Sequence, residues 1–538
     1  MKTVDAIAEV LCREQVEYLF CFPTTPLIEA CASAGIRPIV TRMERTLVNM
    51  ADGYTRVHRG LRNGVCATQY GPGIENAFPG VAQAYADGVP LLMLPLAVEV
   101  KQLNVPPAFS APLNYRGVTK WVDTVLTPDS APPMLRRAFH YLRSGRPAPV
   151  LLEIPTDVAS AEFPGTIDYR PIRRRRSMAD PDDVAAATEA LLAARMPLIV
   201  AGQGVLYAGA TEELVRLAEL TGAGVATTIL GKSAFPEHHP LALGILAGSS
   251  TDMAAHFRRE SDLVFAVGAS LSAGLMLAPI PPGKVLIQST VDERDLEKSY
   301  ALDHALIGDA KLVLQQLVAR IEQRQTSRPA PALAAAKAEI GRLREQWLAK
   351  MRPHFTSDEV PINPYRVIAD LMRVADPDRT IVTHDSGQPR GEMAPTYQAT
   401  MPHGYLGWGN STQLGYGFGL ALGAKLAAPE KLVVNFMGDA AFGMVGMDYE
   451  TAVRAKIPIL TLLINNSIMG GHPGVMPVAT ERYGASSLGG DYAGVARALG
   501  GYSERIEAPA DILPGMERAL RAIASGQPAL LEIITRPL

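Results

Sequence analysis

Gly438-Asp439-Ala440 is followed, after 24 intervening residues, by Asn465-Asn466. A carboxylate and an amide oxygen at that spacing suit a hard cation, and Mg²⁺ commonly takes one or two protein oxygens and fills its remaining positions with phosphate and water. Gly438 and the small Ala440 and Ala441 let backbone N–H groups come close to a diphosphate at a helix start. A second acid of interest is Glu44, within IVTRMERTLVNMADGYTRV at residues 39–57. At the start of a helix it is either a solvated residue favoured by the helix dipole or, in an apolar pocket, an acid–base group with a raised pKa.

These residues need elements to hold them. The run KLVVNFM leads into Gly438 and PILTLLI leads into Asn465, each short, β-rich and bounded by Gly, Pro or Asn. Met447 to Lys456 has helical length and spacing, so the unit reads as strand–helix–strand. Asp439 and Asn466 then sit at the carboxyl ends of two parallel strands, in the crevice where open α/β sheets bind ligands. Two other stretches run from a strand into a glycine turn, VCATQYGPGIEN around Gly71-Pro72-Gly73 and IVTHDSGQPRGEM at 381–393, and GWGNSTQLGYGFGLALGAKLA at 407–427 reads as a glycine-rich helix start. Segment 183–320 contains PLIVAGQGV, DLVFAVGASLS and GKVLIQSTVDE, the alternating strands and turns of a further α/β unit.

A chain of 538 residues exceeds one core and accommodates three domains. The expected divisions are 1–165, 183–325 and 355–538, separated by a Pro-, Asp- and Arg-rich passage at 159–182 and a charged stretch around 324–362. GRPAPVLLEI at 145–154 and GQPALLEI at 526–533 each close an outer segment, which points to two related domains flanking a third. Arg173 to Arg176 read as a solvated linker strip rather than an anion site. A net charge of −3 gives no electrostatic case for nucleic acid or an anionic membrane surface. No apolar run reaches spanning length, and Cys12, Cys21, Cys31 and Cys66 lack metal-type pairing, so a reduced cytoplasmic setting is expected.

The GDA…NN signature, the Glu44 junction and the Ala51–Arg56 string ADGYTR together resemble the thiamine-diphosphate (ThDP) decarboxylase/carboligase superfamily, over essentially the whole chain. The resemblance implies three parallel-sheet α/β domains, with pyrimidine-binding and diphosphate-binding domains flanking a central Rossmann-like one. It implies ThDP with Mg²⁺ held by Asp439, Asn466 and the Ile468 carbonyl, and the diphosphate met by Gly387, Gln388, Gly438, Ala440 and Ala441. The histidine that often follows the Gly-Gln pair is Pro389 here. Leu414 becomes the wedge between the cofactor rings, with the Thr412 backbone at the aminopyrimidine edge. Glu44 becomes the acid facing that ring. Gln69 and Tyr70 become substrate-facing residues, although Tyr70 also reads as a core aromatic, and His472 a candidate proton donor or a plain loop residue.

The implied reaction is 2-oxo acid decarboxylation, acyloin carboligation, or both, in the manner of acetolactate synthase. Against a strict acetolactate synthase assignment, Phe109 is followed by Ser110 where those enzymes carry Phe-Gln. FGMVGMDYET resembles oxalyl-CoA decarboxylase and 2-hydroxyacyl-CoA lyase, which makes an acyl-CoA reaction the alternative. A non-catalytic ThDP-binding relative is a further reading, opposed by the presence of Glu44, Asp439 and Asn466. Some superfamily members bind FAD or ADP in the central domain, and the lone GQG at 202–204 supports neither. The expected partners are a small 2-oxo acid or related acyl donor and further copies of the chain, as a homodimer or homotetramer with shared active sites.

Overall fold

The computed structural model describes residues 1–22, 25–273, 278–324, 330–469 and 472–537, with the side chains of His472 and Pro473 outside the description. Three wholly parallel sheets carry the chain. In the first, strands run in the order Arg37–Val40, Tyr18–Cys21, Val65–Ala67, Leu92–Met93, Val150–Pro155, with Trp121–Thr124 pairing along Val150–Pro155 and Leu96–Ala97 along its end. The last sheet orders Tyr405–Leu406, Thr380–His384, Leu432–Gly438, Leu460–Asn465, Ala529–Ile534, Tyr502–Ile506. Apart from the short Leu96–Ala97 strand, the two sheets have the same connectivity. The repeated turn-plus-strand strings close both at the same place, as duplication requires. The central sheet orders Ala242–Ile245, Gly224–Thr227, Pro197–Ala201, Leu263–Val267, Val285–Thr290, His304–Ile307, the doubly wound order of dinucleotide folds.

Local chemistry accounts for the elements. Val4, Ile7, Ala8 and Leu11 fall on one buried face of the helix Thr3–Arg13. In the strand Leu432–Gly438, Val433, Val434, Phe436 and Met437 are all fully buried, because helices cover both faces of the sheet. Each such side chain contributes about 1.5–3 kcal/mol relative to exposure.

The helix expected over Met447 to Lys456 is divided and begins earlier. Asp439–Val445 is helical, Gly446–Asp448 tightens to a 3₁₀ turn, and Tyr449–Arg454 resumes. The Phe442 ring lies over Gly446, where an added Cβ would meet it at 2.6 Å, and the helix turns there. In the arginine run Arg173, Arg175 and Arg176 are exposed as expected, and only Arg174 departs. Arg174 is three-quarters buried, donates to the Tyr207 carbonyl at 3.0 Å and pairs with Asp309 at 3.7 Å.

The outer domains meet helix to helix, Glu44–Val57 against Tyr416–Ala427. An added Cβ on Gly53 would lie 2.1 Å from the Leu420 carbonyl oxygen, and one on Gly423 would lie 1.9 Å from that of Met50. Only glycine allows backbones this close. Beside this crossing Arg56 is buried among Asp52 (2.6 Å), Asp87 (3.2 Å), the Tyr416 hydroxyl and the Gly407 carbonyl (both 2.8 Å). The ADGYTR string is thus explained by packing: its glycine admits the second helix and its arginine neutralises two buried acids.

Candidate active site

Parallel strands bring the turn after Thr380–His384, the helix start at Asp439 and the loop after Asn465 to one edge of the last sheet. Asp439 Oδ1 accepts from the Ala440 N–H and Oδ2 from the Ser467 N–H, both at 2.9 Å. Burial pushes the Asp439 carboxyl above the usual range, those two N–H donors oppose the shift, and the charge of Glu532 adds to it. A cation would relieve that penalty. Asn466 Nδ2 donates to Gln388 Oε1 at 2.5 Å, so two candidates 78 residues apart touch directly. Ser467 adopts φ 58°, held by Asp439 and by Asn465 Oδ1 at 3.0 Å. Asn465 itself donates to the fully buried Glu532 at 2.8 Å. Strain at Ser467 is confined to the turn that presents Asn466 and Ile468.

These residues fit a Mg²⁺-bound diphosphate. The isolated bridge between Ile468 and Ser487 uses Met469 N to Ser486 O and Leu488 N to Ser467 O, both 2.8 Å, and does not consume the Ile468 carbonyl. Carboxylate, amide and carbonyl are all hard oxygen donors. Gly387 has open space where a Cβ would stand, with φ 79°. Pro389 packs near Gly438, its ring 3.7 Å from the position a Cβ would take there. No group of three or more His, Cys, Asp or Glu side chains able to hold a metal occurs among the described residues.

Leu414 is part-buried and Thr412 exposed. Asp385, not singled out in the sequence, fixes this loop: its carboxylate accepts from Gly415 N at 3.0 Å and Gly417 N at 2.9 Å. Fully buried, it is pushed up to about 6 by desolvation. The acid in HDSGQ at 384–388 was the available signal, but its partners lie 30 and 32 residues away.

Glu44 is the first residue of its helix and 6% exposed, so the solvated reading fails. Burial raises its pKa, while its own backbone N–H and the Asn76 side chain lower it and Asp448 raises it. Arg45 donates to the Met444 carbonyl at 3.4 Å and Arg42 N–H to Asp448 at 2.6 Å, which sets the Glu44 end of the helix against segment 444–448 of the last domain. Gln69 lies against the turn at Gly73. Tyr70 is 48% exposed and is not a core aromatic. His472 opens the short helix His472–Val475, and its side chain lies outside the described residues.

At the carboxyl ends of the central strands lies an open cavity of about 160 Å³. Gly202, Gly204, Gly268 and Asp309 line it, with Arg146 and Arg174 at its walls. The GQG string alone gave too little to anticipate this space. No helix among the described residues is long and apolar enough to cross a membrane.

Comparison with known proteins matches three consecutive stretches. Residues 1–124 match the thiamine pyrophosphate enzyme N-terminal TPP binding domain, 184–317 the central domain and 385–533 the C-terminal TPP binding domain. The "Probable acetolactate synthase large subunit" of Methanocaldococcus jannaschii is 31% identical over all of this chain and 92% of its own length. A "Probable 2-ketoarginine decarboxylase" of Pseudomonas aeruginosa is 30% identical over 96% of this chain and 91% of its own. Glyoxylate carboligase of Escherichia coli O157:H7 is 28% identical over 99% and 93%. A solved "putative thiamin diphosphate-dependent enzyme" from Mycobacterium smegmatis shares the fold, with a TM-score of 0.85 over the whole of both chains at 22% identity. With these matches spanning every domain, the chain belongs to the thiamine-diphosphate-dependent enzyme family.

Proposed function

We propose that this enzyme decarboxylates a small 2-oxo acid and passes the resulting acyl unit to a proton or a second carbonyl, in the manner of acetolactate synthase. The observation that carries the reading is the Asp439–Ser467 and Asn466–Gln388 constellation at one sheet edge. The names of the relatives, synthase, carboligase and decarboxylase, support the reaction class. Bound ThDP supplies a nucleophilic carbon and an electron sink. Asp439, Asn466 and the Ile468 carbonyl hold Mg²⁺, while Gly387, Gln388, Gly438, Ala440 and Ala441 orient the diphosphate. Leu414 and the Thr412 backbone bend and seat the ring system. Glu44 would exchange a proton with the aminopyrimidine N1′ of bound cofactor, and burial raises its pKa above the usual carboxylate range, in the direction such exchange needs. Gln69 and Tyr70 face the substrate.

Glu44 acts, in this proposal, on cofactor bound by a second copy, so the working unit is at least a dimer in the cytoplasm. Exposed Met43, Met444 and Met447 lie by the Glu44 end of the helix, where Arg45 bonds the Met444 carbonyl and Arg42 N–H bonds Asp448, and support that arrangement, and four unpaired thiols suit a reducing compartment.

The deciding assay is CO₂ release, with product mass spectrometry, from pyruvate, 2-oxobutyrate, branched 2-oxo acids, benzoylformate and glyoxylate, with oxalyl-CoA alongside. Release from one of the acids is expected. Turnover of oxalyl-CoA alone would move the enzyme to the acyl-CoA branch.

The central cavity supports an adenine nucleotide such as ADP or FAD as an accessory ligand. A ligand at about 100 times its Kd adds about 2.7 kcal/mol of stability, so either nucleotide should raise the Tm measurably. An unmoved Tm with both would remove this part of the proposal.

A further inference from the structure

The helix Pro72–Asp87 ends against the loop that carries Thr412 and Leu414. Asp87 Oδ1 accepts from Gly409 N at 3.2 Å and Asn410 N at 3.0 Å. Its Oδ2 accepts from Gln83 Nε2 at 2.7 Å and Arg56 Nη2 at 3.2 Å. Gln83 Oε1 in turn accepts from Gln413 N at 3.4 Å, and the Ala86 carbonyl accepts from Asn410 Nδ2 at 3.0 Å. The Asp87 and Gln83 side chains are buried, so water does not compete for these bonds. The loop is therefore pinned twice, by Asp87 and Gln83 of the first domain before Leu414 and by Asp385 of the last domain after it. Between the pins, both amide atoms of Gln413 are buried without a partner in the chain, as in a loop shaped for an incoming polar group.

We propose that Asp87, with Gln83, is a positioning residue for the cofactor: it fixes the 409–414 loop at the height where the Thr412 backbone and Leu414 meet the aminopyrimidine end of ThDP. The assignment rests on the cofactor-site reading above. It separates the two ends of the ligand, because in that reading Asp439, Asn466 and Gln388 serve the diphosphate end, where Asn466 bonds Gln388 and the Ser467 N–H bonds Asp439.

Two substitutions probe it. Asp87→Asn keeps size and turns an N–H toward the N–H groups of Gln83 and Arg56. Gln83→Met keeps volume and removes only the amide. Calorimetry on the full-length enzyme with Mg²⁺ gives the Kd of ThDP and, separately, of inorganic pyrophosphate, and near-ultraviolet circular dichroism reports the bound aminopyrimidine. In both variants ThDP is expected to bind about tenfold or more weakly while pyrophosphate stays within about twofold of wild type, with a diminished dichroic band. Unchanged ThDP affinity overturns the proposal, as does a parallel loss of pyrophosphate, which would mean general loosening. Should Asp87→Asn fail to fold, Gln83→Met decides. A wild-type enzyme that binds pyrophosphate but not ThDP would overturn the cofactor-site reading and this proposal together, and is distinguishable from either variant result.

Discussion

Asp439→Ala is expected to abolish detectable Mg²⁺–ThDP binding, with the cofactor Kd rising roughly 100-fold or more, since even changes behind a ligand shell cost 10–100-fold. The carboxylate joins three parts of the site. It caps Ala440 at the start of its own helix, steadies the Ser467 turn, and stands where a cation would meet the diphosphate. Burial has already raised its pKa, so the ionised form is costly until a cation arrives. The same balance predicts weaker cofactor binding as pH falls through the raised pKa, because the protonated acid no longer attracts Mg²⁺. Calorimetric titration of the apo-enzyme with ThDP and Mg²⁺ measures both effects. Wild-type affinity in the alanine variant would remove Asp439 from the metal site.

Glu44→Gln should behave in the opposite way, retaining cofactor affinity within about threefold while losing about 100-fold or more in kcat, the range set by proton transfer. Glutamine matches the shape and keeps a hydrogen bond with Asn76, but it cannot exchange a proton. A stability signature accompanies the kinetic one. The folded-state pKa of Glu44 is raised, so burying its charge opposes folding where the group is ionised, at pH above the folded value. The glutamine variant should therefore be the more stable protein at neutral pH, with the advantage shrinking to nothing as pH falls below the unfolded carboxyl range. Full turnover in Glu44→Gln would falsify its catalytic assignment. Equal Tm values across the pH range would contradict the buried-charge account.

These two substitutions divide the site as the sheets do. The first and last sheets share one strand order, and each offers strand-to-helix junctions at its carboxyl edge. In the proposed function the last sheet would hold the diphosphate and the metal. The first contributes an acid beside Asn76 and, through Asp87, a grip on the 409–414 loop proposed to seat the cofactor.

The sequence by itself determined the family of this protein and where Asp439 and Asn466 fall in its fold. Asp439 and Asn466 sit where two apolar runs stop, and strand, turn and helix are local structures whose period and punctuation can be read over a few tens of residues. Glu44 was legible for the same reason, and so was the layout of three α/β domains. The helix following Asp439 was misplaced by several residues because the Phe442–Gly446 contact, rather than periodicity, sets its break. Only the tertiary structure revealed the Asp385 clamp, the Arg56 network, the Asp87 pin and the central cavity. Asp87 meets Gly409 across 322 residues, and Arg56 meets Tyr416 across 360. No local pattern encodes such pairings. They exist because two glycine-bearing helices bring one domain onto another, and a buried charge takes whatever partner that packing supplies.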